Sequence, residues 1–235
     1  MSILADLRSH IRQFQDPRKA EALRRFFKTG PGQYGEGDIF LGLTVPDCHK
    51  VAKVYDDMSW SGVKILLTSK YHEERLIALL IMVRQFKKGD ELVKTRIYNH
   101  YLKSTKHINN WDLIDLSAPR IVGSYLEKRS RQPLVQLAKS GNLWKKRISI
   151  IATYSFIKQR DFEATFRLAD ILLSDKHDLI HKATGWMLRE AGKKDVPTLK
   201  KFLKSRYQKM PRTMLRYSIE RFSQRERKKY LMGEI

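Results

Sequence analysis

Apolar residues recur at intervals of three and four along most of the chain, and strict alternation is scarce, so the pattern predicts helices rather than strands. Ile65-Leu66, Leu76-Ile77, Leu79-Leu80 and Val83 form one apolar stripe; Ile148, Ile150-Ile151, Tyr154 and Ile157 form another. Ser2, Ser61, Asn110, Asn142 and Asp195 each stand just before a helical pattern, where a short polar side chain can accept an otherwise unpaired backbone N–H. Pro17, Pro46, Pro133, Pro197 and Pro211 occupy first-turn positions, and Gly89, Gly141 and Gly192 fall in the expected breaks. The reading is about a dozen helices of roughly 8 to 18 residues joined by short turns.

These helices repeat. Segments align with spacings of 36, 36, 35 and 34 residues, and one aligned position reads Arg75, Trp111, Arg147, Lys182, Arg216. One helical turn later the register reads Leu79, Asp115, Ile151, Trp186, Glu220. A period near 35 residues predicts an all-α fold, an α-solenoid of HEAT-like helical repeats in which each helix pair covers the apolar face of the next. A basic residue recurring at one register position would line a basic concave face; the alternative is that such residues brace neighbouring turns, and for Arg75 both stand open. Residues 28–38 (KTGPGQYGEGD) hold four glycines and a proline and predict a flexible loop. The expected organisation is a single domain over 1–235, with N-terminal helices and the glycine-rich loop in 1–39 and the repeat array in 40–235.

Charge narrows the partner. Lys and Arg number 47 against 25 Asp and Glu, a net charge of +22, which favours a polyanion, above all nucleic acid. The segment 187–235 alone has 15 basic and 5 acidic residues, and Arg206, Arg212, Arg216 and Arg221 there are candidates for a phosphate backbone. The longest apolar run, Leu76 to Val83, is too short to span a membrane. Cys48 is the sole cysteine, which excludes an internal disulfide and suits a reducing cytosol. It reads as a packing residue, since no histidine lies at a spacing that suggests a nucleophile pair or a metal site. The opening residues MSILADLRSHIRQF do not follow the basic-then-apolar pattern of a secretory signal, so the expected location is the cytoplasm.

Two acids and two indoles interrupt this basic register. Trp111 and Asp115 are four apart and share a helix face, with Asp112 at its border. Asp112 is accounted for by first-turn compensation of the helix dipole. Asp115 is not, because the repeat calls for an aliphatic residue there. Arg147, one repeat on, is expected to orient that carboxylate or keep it ionised. Trp186 also replaces an aliphatic residue, whereas Trp60 and Trp144 read as core. Two indoles flanking a carboxylate suit a cation, held by the electron-rich ring faces. A cationic trough carrying that trio points to nucleic acid with a positively charged lesion.

Ile108–Pro119 (INNWDLIDLSAP), Asn142–Ile148 (NLWKKRI) and Lys182–Glu190 (KATGWMLRE) resemble the AlkD-like DNA alkylation repair proteins, a group of HEAT-repeat DNA glycosylases. Phe40–Pro46 (FLGLTVP) is similar to that family's FLGI-x-x-P stretch, and the likeness runs from about residue 17 to 222. The resemblance implies hydrolysis of the N-glycosidic bond of N3- and N7-alkylated purines in double-stranded DNA. It implies Asp115 as the catalytic carboxylate, Trp111 and Trp186 as lesion-adjacent indoles and Arg147 as supporting cation, with the lesion still within the duplex. Thr44, Lys145, Lys182, Arg189 and Arg216 are the candidate DNA contacts. No cofactor and no metal is expected, because an alkylated purine is already cationic and leaves without a general acid. A monomer is the expected state. Two other readings compete: a non-catalytic binder of damaged or branched DNA, and a protein-interaction scaffold.

Overall fold

A computed structural model describes residues 3–235, all helix and turn apart from one isolated bridge between Ile39 and Tyr71. The chain divides between Ser117 and Ala118 into two compact units. The first holds α1 (Ile3–Arg12), α2 (Pro17–Phe26), α3 (Val45–Val54), α4 (Trp60–Leu67), α5 (His72–Lys88), α6 (Glu91–Lys103) and α7, Trp111–Ala118, whose last residue falls beyond the division. The second holds a π-turn over Pro119–Gly123, then α8 (Ser124–Leu126), α9 (Gln132–Ala138), α10 (Leu143–Ala152), α11 (Tyr154–Lys158), α12 (Glu163–Leu172), α13 (Asp178–Lys194), α14 (Val196–Lys204), α15 (Arg212–Ser218) and α16 (Gln224–Met232). Pro119 has no N–H to give to the carbonyl four residues earlier, and the wider π-turn begins at that residue.

In the first unit α5 is the central element. It packs on α3, α4 and α6, and its stripe Leu76, Ile77, Leu79 and Leu80 is buried. Each such side chain withdrawn from water stabilises the fold by about 1.5–3 kcal/mol relative to leaving it exposed. Its first turn, however, is polar and equally buried: His72, Glu73, Glu74 and Arg75. Buried ionic groups require partners. Glu74 accepts from two guanidinium nitrogens of Arg8, Nε and Nη2, each at 3.0 Å, and Glu73 accepts the backbone N–H groups of Leu41, Gly42 and Leu43. Gly42 sits at φ 91°, and a Cβ there would lie 2.1 Å from the carbonyl oxygen of Asp16, so no other residue fits the segment Phe40–Pro46 at this point.

In the second unit α13 packs against α10, α12, α14 and α15. Leu188, Leu199, Phe202, Leu203, Met214 and Leu215 are among the residues of its core, where Phe166 stacks on Phe202 at 4.7 Å. The stripe Ile148, Ile150, Ile151 and Ile157 is buried, with Tyr154 half-buried.

Several element boundaries match the sequence signals. Asn142 accepts the N–H groups of Trp144 and Lys145 at 3.0 Å, Asp195 accepts that of Thr198 at 2.9 Å, and the first turns of α2, α3, α9 and α14 carry Pro17, Pro46, Pro133 and Pro197. Others differ. Ser59, not Ser61, caps α4, because its hydroxyl reaches the N–H of Gly62. Pro211 precedes α15 as its cap residue. Gly192 does not mark a break: it lies inside α13, where a Cβ would stand 2.3 Å from Leu199, so the glycine permits α14 to fold back closely. Ser2 lies outside the described residues.

Segment 28–38 is a series of turns stitched to itself. Gly35 donates to the Lys28 carbonyl at 3.2 Å, Gly32 to Glu36 at 2.8 Å and Gly30 to Gln33 at 3.0 Å. Cys48 is buried, and burial first of all, with nearby acidic charge, pushes its thiol well above the usual range, as suits packing rather than reactivity. Among the described residues no helix is long and apolar enough to cross a membrane.

Candidate active site

Helix α7 presents Trp111 and Asp115 one turn apart, and both are half-buried. The equivalent positions of Asp115 in the two adjacent repeats, Leu79 and Ile151, are 0% exposed, whereas Trp186 and Glu220, further along the same register, reach solvent as the acid does. The charge of Asp115 reaches the buried Tyr101, whose phenol is raised mainly by its own burial. Tyr101 in turn exchanges a 2.8 Å hydrogen bond with Ser117, on the same helix as the acid.

Trp111 is held in place by the end of α2 and by the glycine-rich loop. Phe27 stacks on it at 4.9 Å with an interplanar angle of 25°, Phe26 meets it edge-on at 5.7 Å, and the indole N–H donates to the Tyr34 hydroxyl at 3.3 Å. Aromatic pairs of this kind are worth about 0.5–1.5 kcal/mol beyond their burial. Phe26 itself remains 63% exposed.

Beneath these residues lies an ionic network that local sequence reasoning did not anticipate. The two ring nitrogens of His72 face two different carboxylates: Nδ1 lies 3.0 Å from Asp38 and Nε2 lies 2.8 Å from Asp112. Arg75 donates to the second oxygen of Asp38 at 2.6 Å and to the Ser69 carbonyl at 3.0 Å, while the Asn110 amide donates to Asp38 at 3.1 Å. Burial alone would lower the His72 pKa; the charges and hydrogen bonds of Asp112 and Asp38 overcome it and raise it to about 9. Burial works the other way on Asp38, yet His72, Arg75 and Asn110 hold its carboxyl below the usual carboxylate range.

Two expectations change here. Asp112 is a buried partner of His72, with its other oxygen on the N–H of Leu113, so dipole compensation is the lesser part of its role. Arg75, buried and bonded internally, is a brace and adds nothing to an exposed basic face.

In the second unit Arg147 is likewise buried, and its guanidinium donates to the Leu179 carbonyl in the first turn of α13 at 2.8 Å. Trp186 is half-buried and gives its indole N–H to Glu190 at 3.0 Å. Glu190 also takes Lys193 at 2.7 Å, and Arg189 pairs with Glu220. Lys182 pairs with Asp178 at 2.7 Å, one turn earlier on α13. Lys145 is half-buried, and Arg216 is exposed. Trp144 is buried as expected.

In the first unit, Trp60 is only half-buried, with Arg96 over its ring at 5.0 Å. Thr44, exposed, caps α3 through a reciprocal pair of bonds with Asp47.

Of the basic C-terminal segment, Arg206 binds Asp170 and Arg212 binds the Leu231 carbonyl, whereas Arg216 and Arg221 face solvent. Among the described residues no group of three or more His, Cys, Asp or Glu side chains is placed to hold a metal ion.

Residues 7–222 match the family model of DNA alkylation repair enzymes, and the chain belongs to that family. Membership of that family implies a DNA substrate. The fold is that of a predicted DNA alkylation repair enzyme from Enterococcus faecalis, matched over 89% of this chain and 97% of the other with a TM-score of 0.68 and 13% identity. At that identity the likeness speaks to the fold, an all-helical repeat array. No curated protein sequence matches the chain.

Proposed function

We propose that this protein is a monofunctional DNA glycosylase that hydrolyses the N-glycosidic bond of cationic N3- and N7-alkylated purines in duplex DNA. One observation carries the reading within a DNA alkylation repair family: a carboxylate only half-buried, Asp115, takes the place that wholly buried aliphatics, Leu79 and Ile151, hold in the repeats on either side. An acid placed there at the expense of apolar packing has a use outside the core.

The chemistry needs little more. The alkylated base already carries a positive charge, so the C1′–N bond breaks with its electron pair passing into the ring and discharging it. The sugar that remains is oxocarbenium-like, and a negative charge close by stabilises it. Asp115 supplies that charge and receives a proton as water adds to C1′. Trp111, its plane fixed by Phe27 and Tyr34, and Trp186 are assigned to the cationic base. Arg147 is assigned as the supporting cation, held by the Leu179 carbonyl. The motif places no lysine as a Schiff-base nucleophile, so no strand cleavage follows.

The test is incubation with a duplex carrying a single 7-methylguanine. Free 7-methylguanine is expected, with the strand intact until alkali opens the abasic site. Binding without release at any enzyme concentration would favour the non-catalytic reading.

Lys182 and the exposed Arg216 are proposed as phosphate contacts, alongside Thr44, Lys145 and Arg189. Arg216→Ala is expected to weaken binding equally for damaged and undamaged duplex and to reduce the slope of log affinity against log salt by about 1. A fluorescence-anisotropy titration over several salt concentrations reads both quantities, and an unaltered slope removes Arg216 from the interface.

A further inference from the structure

We propose that His72, as an imidazolium clamped between Asp38 and Asp112, is a positioning residue that locks the first turn of α7 onto the 28–38 loop and so sets where Trp111 and Asp115 stand. The geometry states the protonation. A neutral imidazole carries one N–H, yet both ring nitrogens face carboxylate oxygens at 3.0 and 2.8 Å. Only the doubly protonated ring donates to both; losing a proton would set a nitrogen lone pair against a carboxylate.

The three side chains are 2%, 4% and 8% exposed, so water does not substitute for the lost bond. Residues from several elements make the enclosure. Phe40 stacks on the imidazole at 4.5 Å and Phe27 lies at 5.2 Å. From α5 itself Arg75 neutralises the far side of Asp38, and Glu73 is occupied by the amides of residues 41–43. Asn110 binds Asp38, and the thiol of Cys48 on α3 lies within reach of the charges of Glu73 and Asp112.

Three connections run from this clamp to the candidate site. Asp112 is the residue next to Trp111. Phe27 touches both rings, at 5.2 Å from His72 and 4.9 Å from Trp111. Asp38 ends the loop whose Tyr34 receives the indole N–H. Opening the clamp therefore releases the Trp111 side of α7 from two anchors at once.

The transition falls where the His72 proton leaves, near pH 9 rather than near the ordinary 6.5. The kinetic arm of the test rests on the glycosylase reading; the spectroscopic arm does not. In the full-length protein, both ring nitrogens of His72 are expected to give imidazolium 15N shifts at pH 7, and the Trp111 indole N–H resonance is expected to move with a midpoint near 9. Base release from 7-methylguanine duplex should lose kcat through the same midpoint with KM little changed.

His72→Gln, neutral at all pH, should give a low kcat that is flat across that range and a Trp111 signal that no longer titrates. Should that variant not fold, Asp38→Asn keeps an acceptor oxygen while removing one charge, and should lower the Trp111 midpoint by about one pH unit. A neutral His72 ring at pH 7, a Trp111 signal silent through pH 9, or an unmoved midpoint in Asp38→Asn each overturns the proposal. A titrating Trp111 signal in a protein that releases no base at any pH leaves it standing and removes the glycosylase reading instead.

Discussion

Asp115→Asn is expected to slow release of 7-methylguanine by about 10²–10³-fold, the loss typical of removing one preorganised electrostatic group from a reacting centre, about 2.7–4 kcal/mol. The substitution keeps the size of the side chain and removes only the charge that the glycosylase reading sets against the developing oxocarbenium. Since the side chain is only half-buried and the replacement is isosteric, folding should change little. Duplex affinity at moderate salt should be equal or slightly higher, because a negative charge is withdrawn from a polyanion's path. Single-turnover kinetics alongside a thermal melt make the comparison. Retention of more than a tenth of the wild-type rate would dismiss the carboxylate as catalytic. A fall in rate matched by collapse of the melting transition would assign it to the fold.

Asp112→Ala should give the largest loss of stability, on the order of 3–5 kcal/mol at pH 7, because it leaves a buried imidazolium facing a gap. For a chain of this size that corresponds to a melting temperature lower by roughly 10 °C. The pH dependence separates this cause from simple loss of packing. The folded-state pKa of His72, about 9, exceeds its ordinary value of 6.5. The stabilisation is therefore complete below pH 6.5 and disappears as pH climbs through 9. The wild type should accordingly lose stability over that window, and the deficit of Asp112→Ala should be largest near neutrality and shrink by pH 10. Denaturant melts at pH 6.5, 8 and 10 measure it; a deficit independent of pH would mean the ion pair contributes nothing.

The period of the apolar stripes was enough to read an all-helical array, and local capping chemistry located α10 and α14, since Asn142 and Asp195 act within three residues of where they stand. Where a signal depends on distant partners, the sequence is mute. Arg75 finds Asp38 across 37 positions and His72 finds Asp112 across 40, and no local pattern announces either. Which basic members of the register brace the fold and which line a face is therefore not legible locally: Arg75 and Arg147 are buried, whereas Arg216 is exposed. A helical repeat fixes which residues are equivalent, but not which of them water reaches.

One hint existed. His72-Glu73-Glu74-Arg75 opens the helix that carries the longest apolar run, and four polar residues entering such a core must all be matched by others. By contrast the departure at Asp115 was visible because aliphatic counterparts flank it on both sides in the repeat, and no tertiary knowledge was needed to see it.

The stitching of residues 28–38 is uneven along its length. Tyr34 and Asp38 reach out to other elements, and residues 41–43 are tied down by Glu73, whereas the bonds of Gly30 and Gly32 stay within the segment itself, with open space around Gly32. The tip around Gly30–Gly32 is thus joined to the rest of the fold through its own segment. Evolution can lengthen or shorten the chain at that tip, and an experimenter can splice a fluorophore or affinity handle into it, while the aromatic and ionic anchorage a few residues downstream stays as it is.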